Sequence, residues 1–583
     1  MRTLFLSCSL IGLLAVTGCG GNSNSKDKGK KAGGKQAKEP HYELAEEHRE
    51  FLWSLEHHNN ILMQVGFARL GSAIRKGDPK LIEEQLDTKF SAKVAKDSQR
   101  ADLVGTKQFS AHRIEWAGDP DSGSSMSAAN FAKSLVQGRA RFGEEFRIQF
   151  GVTTIAPLDR KKPDDRWSAV CRIRQFGKSK EGGFLELITN ARLTMRRPDK
   201  VRMRSESWLI DWTTLSATES NAKQILMKEV ADAAGFDVAA LHDNWRDRAK
   251  IQGTGGVYAC DFNNDACTDL LISDVNGTKL YQGSVKGQYK DVTLQLGLIF
   301  ESNDIRPVFV DIDNDGWQDL VLADGTIFRN QKGKGFRQQR KTNLGRVIKI
   351  ATVDSSITGI STADYDRDGR MDLYIIRNGS RPTSWLKETS NSEGNQLLKN
   401  LGNWQFEDVT ERTKVGGEGR SVFAVVWLDA NSDSWPDFFI INEYGNGGLY
   451  LNNEGKSFTE QKLIEGPGDF GSMGVTAGDI NNDGHIDIFL ASMYSKAGSR
   501  VITNIPPGVY PPKVMARLKR FVTGSELYMN DGKLKFAPKG RKFQVHDAGW
   551  TWGPALADLN GDGFLDIFST AGYMSRDRNK PDG

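Results

Sequence analysis

Residues 479–487 read Asp-Ile-Asn-Asn-Asp-Gly-His-Ile-Asp, and the C-terminal half of the chain writes this pattern six times. The others are 261–269 (DFNNDACTD), 311–319 (DIDNDGWQD), 364–372 (DYDRDGRMD), 429–437 (DANSDSWPD) and 558–566 (DLNGDGFLD). The template D-x-[DN]-x-D-G-x-x-D puts oxygen donors at alternate positions of a tight loop, which is what a hard cation such as Ca2+ requires. Position 1 is Asp261, Asp311, Asp364, Asp429, Asp479 or Asp558, and position 3 is Asn263, Asp313, Asp366, Asn431, Asn481 or Asn560. Position 5 is Asp265, Asp315, Asp368, Asp433, Asp483 or Asp562, and position 9 is Asp269, Asp319, Asp372, Asp437, Asp487 or Asp566. Position 7 (Cys267, Trp317, Arg370, Trp435, His485 and Phe564) is expected to add its carbonyl. Without a cation, carboxylates this close raise one another's pKa. The expectation is up to six structural Ca2+ ions.

The flanks choose the fold. An EF-hand needs Glu at position 12, where this chain has Ile272, Leu322, Ile375, Ile440, Leu490 and Ser569. Each loop is followed by a strand-like run (DLLI, DLVL, DLYI, DFFI, DIFL, DIFS), and VFV and AVVWL precede the second and fourth. The first Asp recurs at 261, 311, 364, 429, 479 and 558, far from the nine-residue period of a calcium-binding β-helix. Units of about fifty residues with several strands each belong to a β-propeller. Outer strands are expected at KLYQG (279–283), TIFRN (326–330), GLYLNN (448–453) and ELYMND (526–531), then at YKDVT (289–293) and FEDVT (406–410).

These units resemble the FG-GAP/VCBS repeats of the integrin-type α-subunit propeller. Residues 250–583 resemble the repeat region of the cartilage acidic protein/UnbV (ASPIC) family, on the DVT endings, MYSKAGSR (493–500), GSELYMNDGKLKF (524–536) and AGWTWGPALADLNGDGFLDIF (548–568). The resemblance implies calcium in the loops and a propeller that is usually seven-bladed. Six blades are readable, and the sixth is expected to be incomplete because its outer strands are not written. Ala266 and Ser434 replace the position 6 glycine, and Pro436 adds a fixed φ. The first and fourth sites are therefore expected to bind calcium more weakly, the fourth most of all.

Met1-Arg2-Thr3, an apolar run from Leu4 to Val16 and then Thr17-Gly18-Cys19 read as a bacterial lipoprotein signal over 1–18. Cys19 becomes the lipidated residue, and 19–41 a Lys-rich tether that cannot bury a core. This places the protein in the bacterial cell envelope, periplasmic or surface-facing, held to the membrane through Cys19. Net charge is +4 overall, but residues 251–583 are acidic, largely through the loops, and no nucleic-acid partner follows. Cys260 and Cys267 bracket the first loop, where an oxidising compartment permits a bridge, and Cys171 reads as an apolar core residue.

Residues 42–249 lack the repeat and read as an α+β domain. Helix is expected over 43–75, over 79–89 after an Asp78 N-cap, and over 219–247, with strands at 147–155, 167–176, 183–197 and 201–215. GDPKLIEEQLDTKF (77–90) and the Trp208–Trp212 strand resemble NTF2-like domains. No nucleophile elbow, zinc signature, Walker loop or dinucleotide fingerprint occurs, so no catalytic residue is expected. Between Ser492 and Glu526 an excursion carries Lys513, Arg517, Lys519 and Arg520, either packing on the neighbouring blade or docking a partner. The expected function is a surface-anchored, calcium-stabilised module that binds protein or glycan. The alternatives are an extracytoplasmic carbohydrate-active lyase or hydrolase, and a small-ligand site in the middle domain.

Overall fold

Alternation decides the first sheet: along Arg166–Lys178, Trp167, Ala169, Cys171, Ile173 and Gln175 are buried and the residues between them are not. A strand with that period covers one face and wets the other. The computed structural model describes residues 44–571 except 95–97, 106–107, 117–118, 123, 244–254, 302–304, 350–354, 380–393, 418–419, 444 and 464–469. The signal, Cys19 and the tether lie outside the described residues. The chain divides into two compact units at 228/229, with residues 496–512 joining the first.

The first unit is an eight-stranded sheet with helices. Its strands are β1 (Leu86–Val94), β2 (Ser98–Gly105), β3 (Phe109–Trp116), β4 (Ser124–Met126), β5 (Arg147–Pro157), β6 (Arg166–Lys178), β7 (Phe184–Arg196) and β8 (Leu209–Ala222). The order is β2-β3-β8-β7-β6-β5, with β1 pairing β4 and, in parallel, β8. One helical run covers 46–76, with a π turn at Leu62–Phe67. Phe67 stacks on Phe150 of β5 at 4.5 Å and meets Trp208 edge-on.

Three sequence expectations need correction. The helix after Asp78 is a single turn, Pro79–Glu83, although Asp78 does cap it by accepting from Lys80 N–H. The strand expected at 201–215 runs from Leu209 to Ala222. The helix expected over 219–247 is absent from the described residues apart from the short turns Ala231–Ala234 and Val238–Ala240. Sheet pairing overrode local preference there: β8 is bonded on one side to β7 and on the other to β3 over 217–222 and to β1 nearer its start.

Residues 496–512 resolve the excursion. Helix Lys496–Asn504 packs on β5 and on helix Glu46–Ile61, inside the first unit. Arg500, with 9% of its side chain exposed, grips both oxygens of Glu56 at 2.8 Å and donates to Val152 O at 2.6 Å. Asn504 Nδ2 donates to Ile155 O. The basic cluster, Lys513, Arg517, Lys519 and Arg520, lies in the part of the excursion that stays with the second unit, where Leu518 and Phe521 are buried.

The second unit is the β-propeller, mainly β as the sequence leads one to expect. Five antiparallel sheets of four strands and a sixth with two described strands follow one another. First strands are Val257–Cys260, Pro307–Val310, Ser355–Ala363, Val422–Leu428, Ser472–Gly478 and Thr551–Ala557. Second strands are Asp269–Asp274, Asp319–Leu322, Asp372–Gly379, Asp437–Asn442, Asp487–Ser492 and Asp566–Ala571, so each Asp loop joins the first two strands of its blade. Third strands are Gly277–Gln282, Ile327–Asn330, Gln396–Asn400, Gly448–Asn452 and Glu526–Asn530. Strands buried on both faces serve two neighbours. Phe438 and Ile440 join the core shared with the third blade, whereas Phe439 and Ile441 join that shared with the fifth. The unit begins at Glu229 rather than 250, and Phe236 packs against Tyr281 and Tyr289 of the first blade.

A latch recurs between blades. The Asn ending each third strand from the second to the fifth blade donates its amide to the position 2 carbonyl of the preceding blade's loop. The pairs are Asn330 to Phe262, Asn400 to Ile312, Asn452 to Tyr365 and Asn530 to Ala430, at 2.8–2.9 Å. The same amides also reach the position 8 carbonyls of their own loops, Gln318, Met371, Pro436 and Ile486. The first blade has Gly283 in that place.

Two substitutions test this account. Arg500→Ala strands the Glu56 carboxylate and is expected to destabilise the first unit by about 3 kcal/mol, read as a lower melting temperature, while Glu56→Leu/Arg500→Met recovers most of the loss. Asn452→Ala leaves two buried carbonyls short of a donor, and should cost about 2 kcal/mol in denaturant unfolding of the propeller.

Candidate metal centres of the aspartate loops

All six loops share one backbone. Position 4 (Asn264, Asn314, Arg367, Ser432, Asn482, Gly561) and position 6 (Ala266, Gly316, Gly369, Ser434, Gly484, Gly563) all have φ between 53° and 87°. Left-handed backbone costs an L-residue roughly 1–2 kcal/mol, so the strain at Ala266 (φ 63°) and Ser434 (φ 70°) is accepted rather than avoided. What holds the turn is the position 1 carboxylate, whose two oxygens accept the N–H groups of positions 5 and 6 at 2.8–3.1 Å in every loop. The position 5 carboxylate accepts the position 7 N–H at 2.8–3.2 Å. The left-handed position 4 was not recognised from sequence. Its signal was present, because Asn264, Asn314 and Asn482 each donate to the position 6 carbonyl of the next loop, Gly316, Gly369 and Gly563.

The position 9 carboxylate is the buried one. Asp269, Asp319, Asp372, Asp437 and Asp487 are at most 1% exposed. One oxygen of each accepts from the third strand of its own blade: Gly283, Asn330, Asn400, Asn452 and Asn530 N–H at 2.7–2.9 Å. The other accepts from position 2 N–H in the first, third, fourth and fifth loops. Burial pushes these acids up, to about 6 for Asp269 and Asp437, about 7 for Asp319 and about 8 for Asp372, with Asp487 raised as well. Neighbouring carboxylates add to the shift in each case.

The donor set fits calcium. In the second and third loops, oxygens of Asp311, Asp313 and Asp315, and of Asp364, Asp366 and Asp372, lie within 4.8 Å of one another. Asp313 Oδ1, Asp319 Oδ2 and Asp366 Oδ1 are buried with no hydrogen-bond partner, which leaves hard oxygens to be satisfied by a cation. Position 3 is Asn in the other loops, and Asn263, Asn431 and Asn481 donate to the position 5 carboxylate at 2.8 Å. Side chains at position 7 also do more than the sequence suggested: Trp317, Trp435 and His485 cover the outer-turn glycines Gly333, Gly455 and Gly532, where a Cβ would collide with them. Phe564 is half exposed and Asp566 half-buried in the two-strand sixth sheet.

Cations from outside the loops approach two of them. Arg329 of the second blade's third strand pairs with Asp313 at 2.9 Å and Asp315 at 3.0 Å. Lys399, in the same place in the third blade, pairs with Asp366 and with Asp368, the latter at 3.0 Å. Arg370 also reaches Asp368. Cys260 and Cys267 are both free thiols, so no bridge spans the first loop; Cys267 N–H is committed to Asp265. Cys171 is fully buried, with burial pushing its thiol up to about 12. His58 is a core residue, stacked on Trp167 at 4.2 Å, its ring nitrogens engaged by Ser54 O and Arg197.

The raised position 9 acids set a pH dependence for the metal-free protein. The folded state keeps a proton that the unfolded chain, with its acids near 3.8, has already lost. Stability from these groups is therefore complete below about pH 4 and lost as pH rises through about 6 to 8. In a chelator, the propeller's melting temperature should fall between pH 5 and pH 8; a flat or rising profile refutes this.

The FG-GAP-like repeat family matches residues 261–322, 311–375, 429–490 and 522–569. Among solved structures, the chain is similar to an Agrocybe aegerita lectin described as recognising non-reducing terminal N-acetylglucosamine, at 14% identity, over 75% of this chain and 90% of that one, with a TM-score of 0.31. It is also similar to BBS1N in complex with ARL6DN, soaked with lead (12% identity, 55% of this chain, 90% of that one, TM-score 0.27) or with mercury (11%, 55%, 89%, 0.28). No curated protein matches the chain. Each of the six Asp loops lies inside a stretch matched by the family, and the chain carries FG-GAP-like repeats of the integrin-α-like kind.

Proposed function

We propose that this protein is a calcium-stabilised propeller that binds a protein or glycan ligand while anchored at the bacterial cell envelope through a lipid on Cys19. The observation that carries the reading is the buried, unpartnered carboxylate oxygen in loops whose other donors are all hard oxygens, together with the FG-GAP-like repeat. Calcium, when bound, neutralises the clustered carboxylates. The chain's own residues do the rest. Position 1 fixes the turn, position 9 ties it to the third strand, and the Asn latches pass rigidity from blade to blade. A rigid ring of this kind presents loops as a binding surface at little ordering cost.

The reading includes membership of the cartilage acidic protein/UnbV group, supported by the motifs at 493–500, 524–536 and 548–568. The anchor rests on the sequence of residues 1–19 alone; no helix among the described residues is long and apolar enough to cross a membrane. We read the protein as a binding module and not an enzyme because the loop carboxylates are committed to backbone N–H groups and to the cation site.

Thermal melting of the full chain with and without chelator tests the calcium role. Removal of calcium should lower the propeller's melting temperature by several degrees at pH 7.5, and an unchanged value sinks it. A glycan array probed with the calcium-loaded chain tests the ligand class. Saturable binding lost on chelation supports the glycan arm, and turnover of an arrayed glycan would favour the carbohydrate-active alternative.

A further inference from the structure

The repeats contain an internal comparison. Where position 3 is Asp, as in Asp313 and Asp366, the residue before the latch asparagine is a cation, Arg329 or Lys399, seated on that carboxylate. Where position 3 is Asn, as in Asn263, Asn431 and Asn481, the same place holds Gln282, Leu451 or Met529. The extra carboxylate and the cation thus come and go together across five blades of one chain. Their geometry agrees. Arg329 spans Asp313 and Asp315, and Lys399 spans Asp366 and Asp368, the position 3 and 5 pair in both loops. Lys399 is one-fifth exposed and Asp366 less, so that pair is screened less than a surface one, whereas Arg329 is about two-fifths exposed beside a mostly buried Asp313. Arg329 is further held over the Trp404 ring, 5.6 Å from its centroid. The two loops with the most carboxylates are therefore also the two that carry their own positive charge.

We propose that Arg329 and Lys399 are resident counter-ions of the second and third loops, which hold those loops closed without metal and compete with calcium for the position 3 and 5 oxygens. A calcium ion entering either loop must displace a side-chain cation from two carboxylates. The first, fourth and fifth loops present no such competitor from the third strand. The order in which loops fill then follows the third-strand residue rather than the number of carboxylates. This inference rests on the calcium reading above, and goes beyond it by dividing the loops into two classes.

The test uses the full chain after chelation, with calcium titrated calorimetrically and melting followed in parallel. Arg329→Gln copies the first blade's residue and Lys399→Met the fifth blade's. Each variant is expected to gain one calcium site at least about tenfold tighter than any the wild type shows in that loop. Each should also melt lower than wild type in chelator, with the difference closed by calcium. Asp313→Asn/Arg329→Gln rebuilds the first loop's donor set and should restore the chelator melt, which separates the charge effect from misfolding. Unchanged or weakened calcium binding in both single variants, with wild type binding calcium normally, overturns the counter-ion role. Absence of any calcium binding by wild type overturns the calcium reading itself and the competition with it.

Discussion

A carboxylate sealed inside a sheet is the constraint around which the propeller is arranged. Position 9 of each loop is the first residue of a second strand, and in five blades its side chain is shut away from water. Burying a charge is costly unless it is hydrogen-bonded and compensated. Backbone N–H groups from the loop and from the third strand supply the bonds, and in doing so fix where those elements lie. The turn at positions 1 to 6 follows from the same logic, since the left-handed residues at positions 4 and 6 are held by Asp at position 1, which collects the N–H groups of positions 5 and 6.

From that anchor, order spreads sideways. The third strand that meets the buried Asp ends in an Asn whose amide crosses to the previous loop, while the left-handed Asn at position 4 reaches forward to the next one. Second strands buried on both faces share their side chains between two cores. No blade can therefore be changed without its neighbours feeling it, as in other repeat architectures where stability lies largely in the interfaces.

The first unit is completed by residues far downstream in the chain, Arg500 reaching Val152 across 348 positions and Glu56 across 444. A buried ion pair of this kind is weak evidence for stability and better evidence for specificity, because loss of one partner leaves a charge stranded. It ties the folding of the first unit to the presence of a segment inserted in the fifth blade.

The sequence by itself determined the six repeat units, the strands on either side of each loop and the oxygen-bearing residues within it, because those rest on local patterns: an oxygen donor at every second position and apolar runs of strand length. It also showed Ala266 and Ser434 as departures, though not that they take up the same left-handed backbone as glycine. Only the tertiary structure decided what depends on distant partners. Strand β8 extends where a helix was expected because two neighbours satisfy its backbone. Residues 496–512 of the excursion after Ser492 belong to the first unit because Glu56 and β5 receive them, while its basic part stays with the second. Arg329 and Lys399 became part of the loops because strand pairing, not sequence spacing, sets them beside position 3. In each case the deciding energy lies in hydrogen bonds and charge pairs between segments far apart in the chain, where local propensity carries no information.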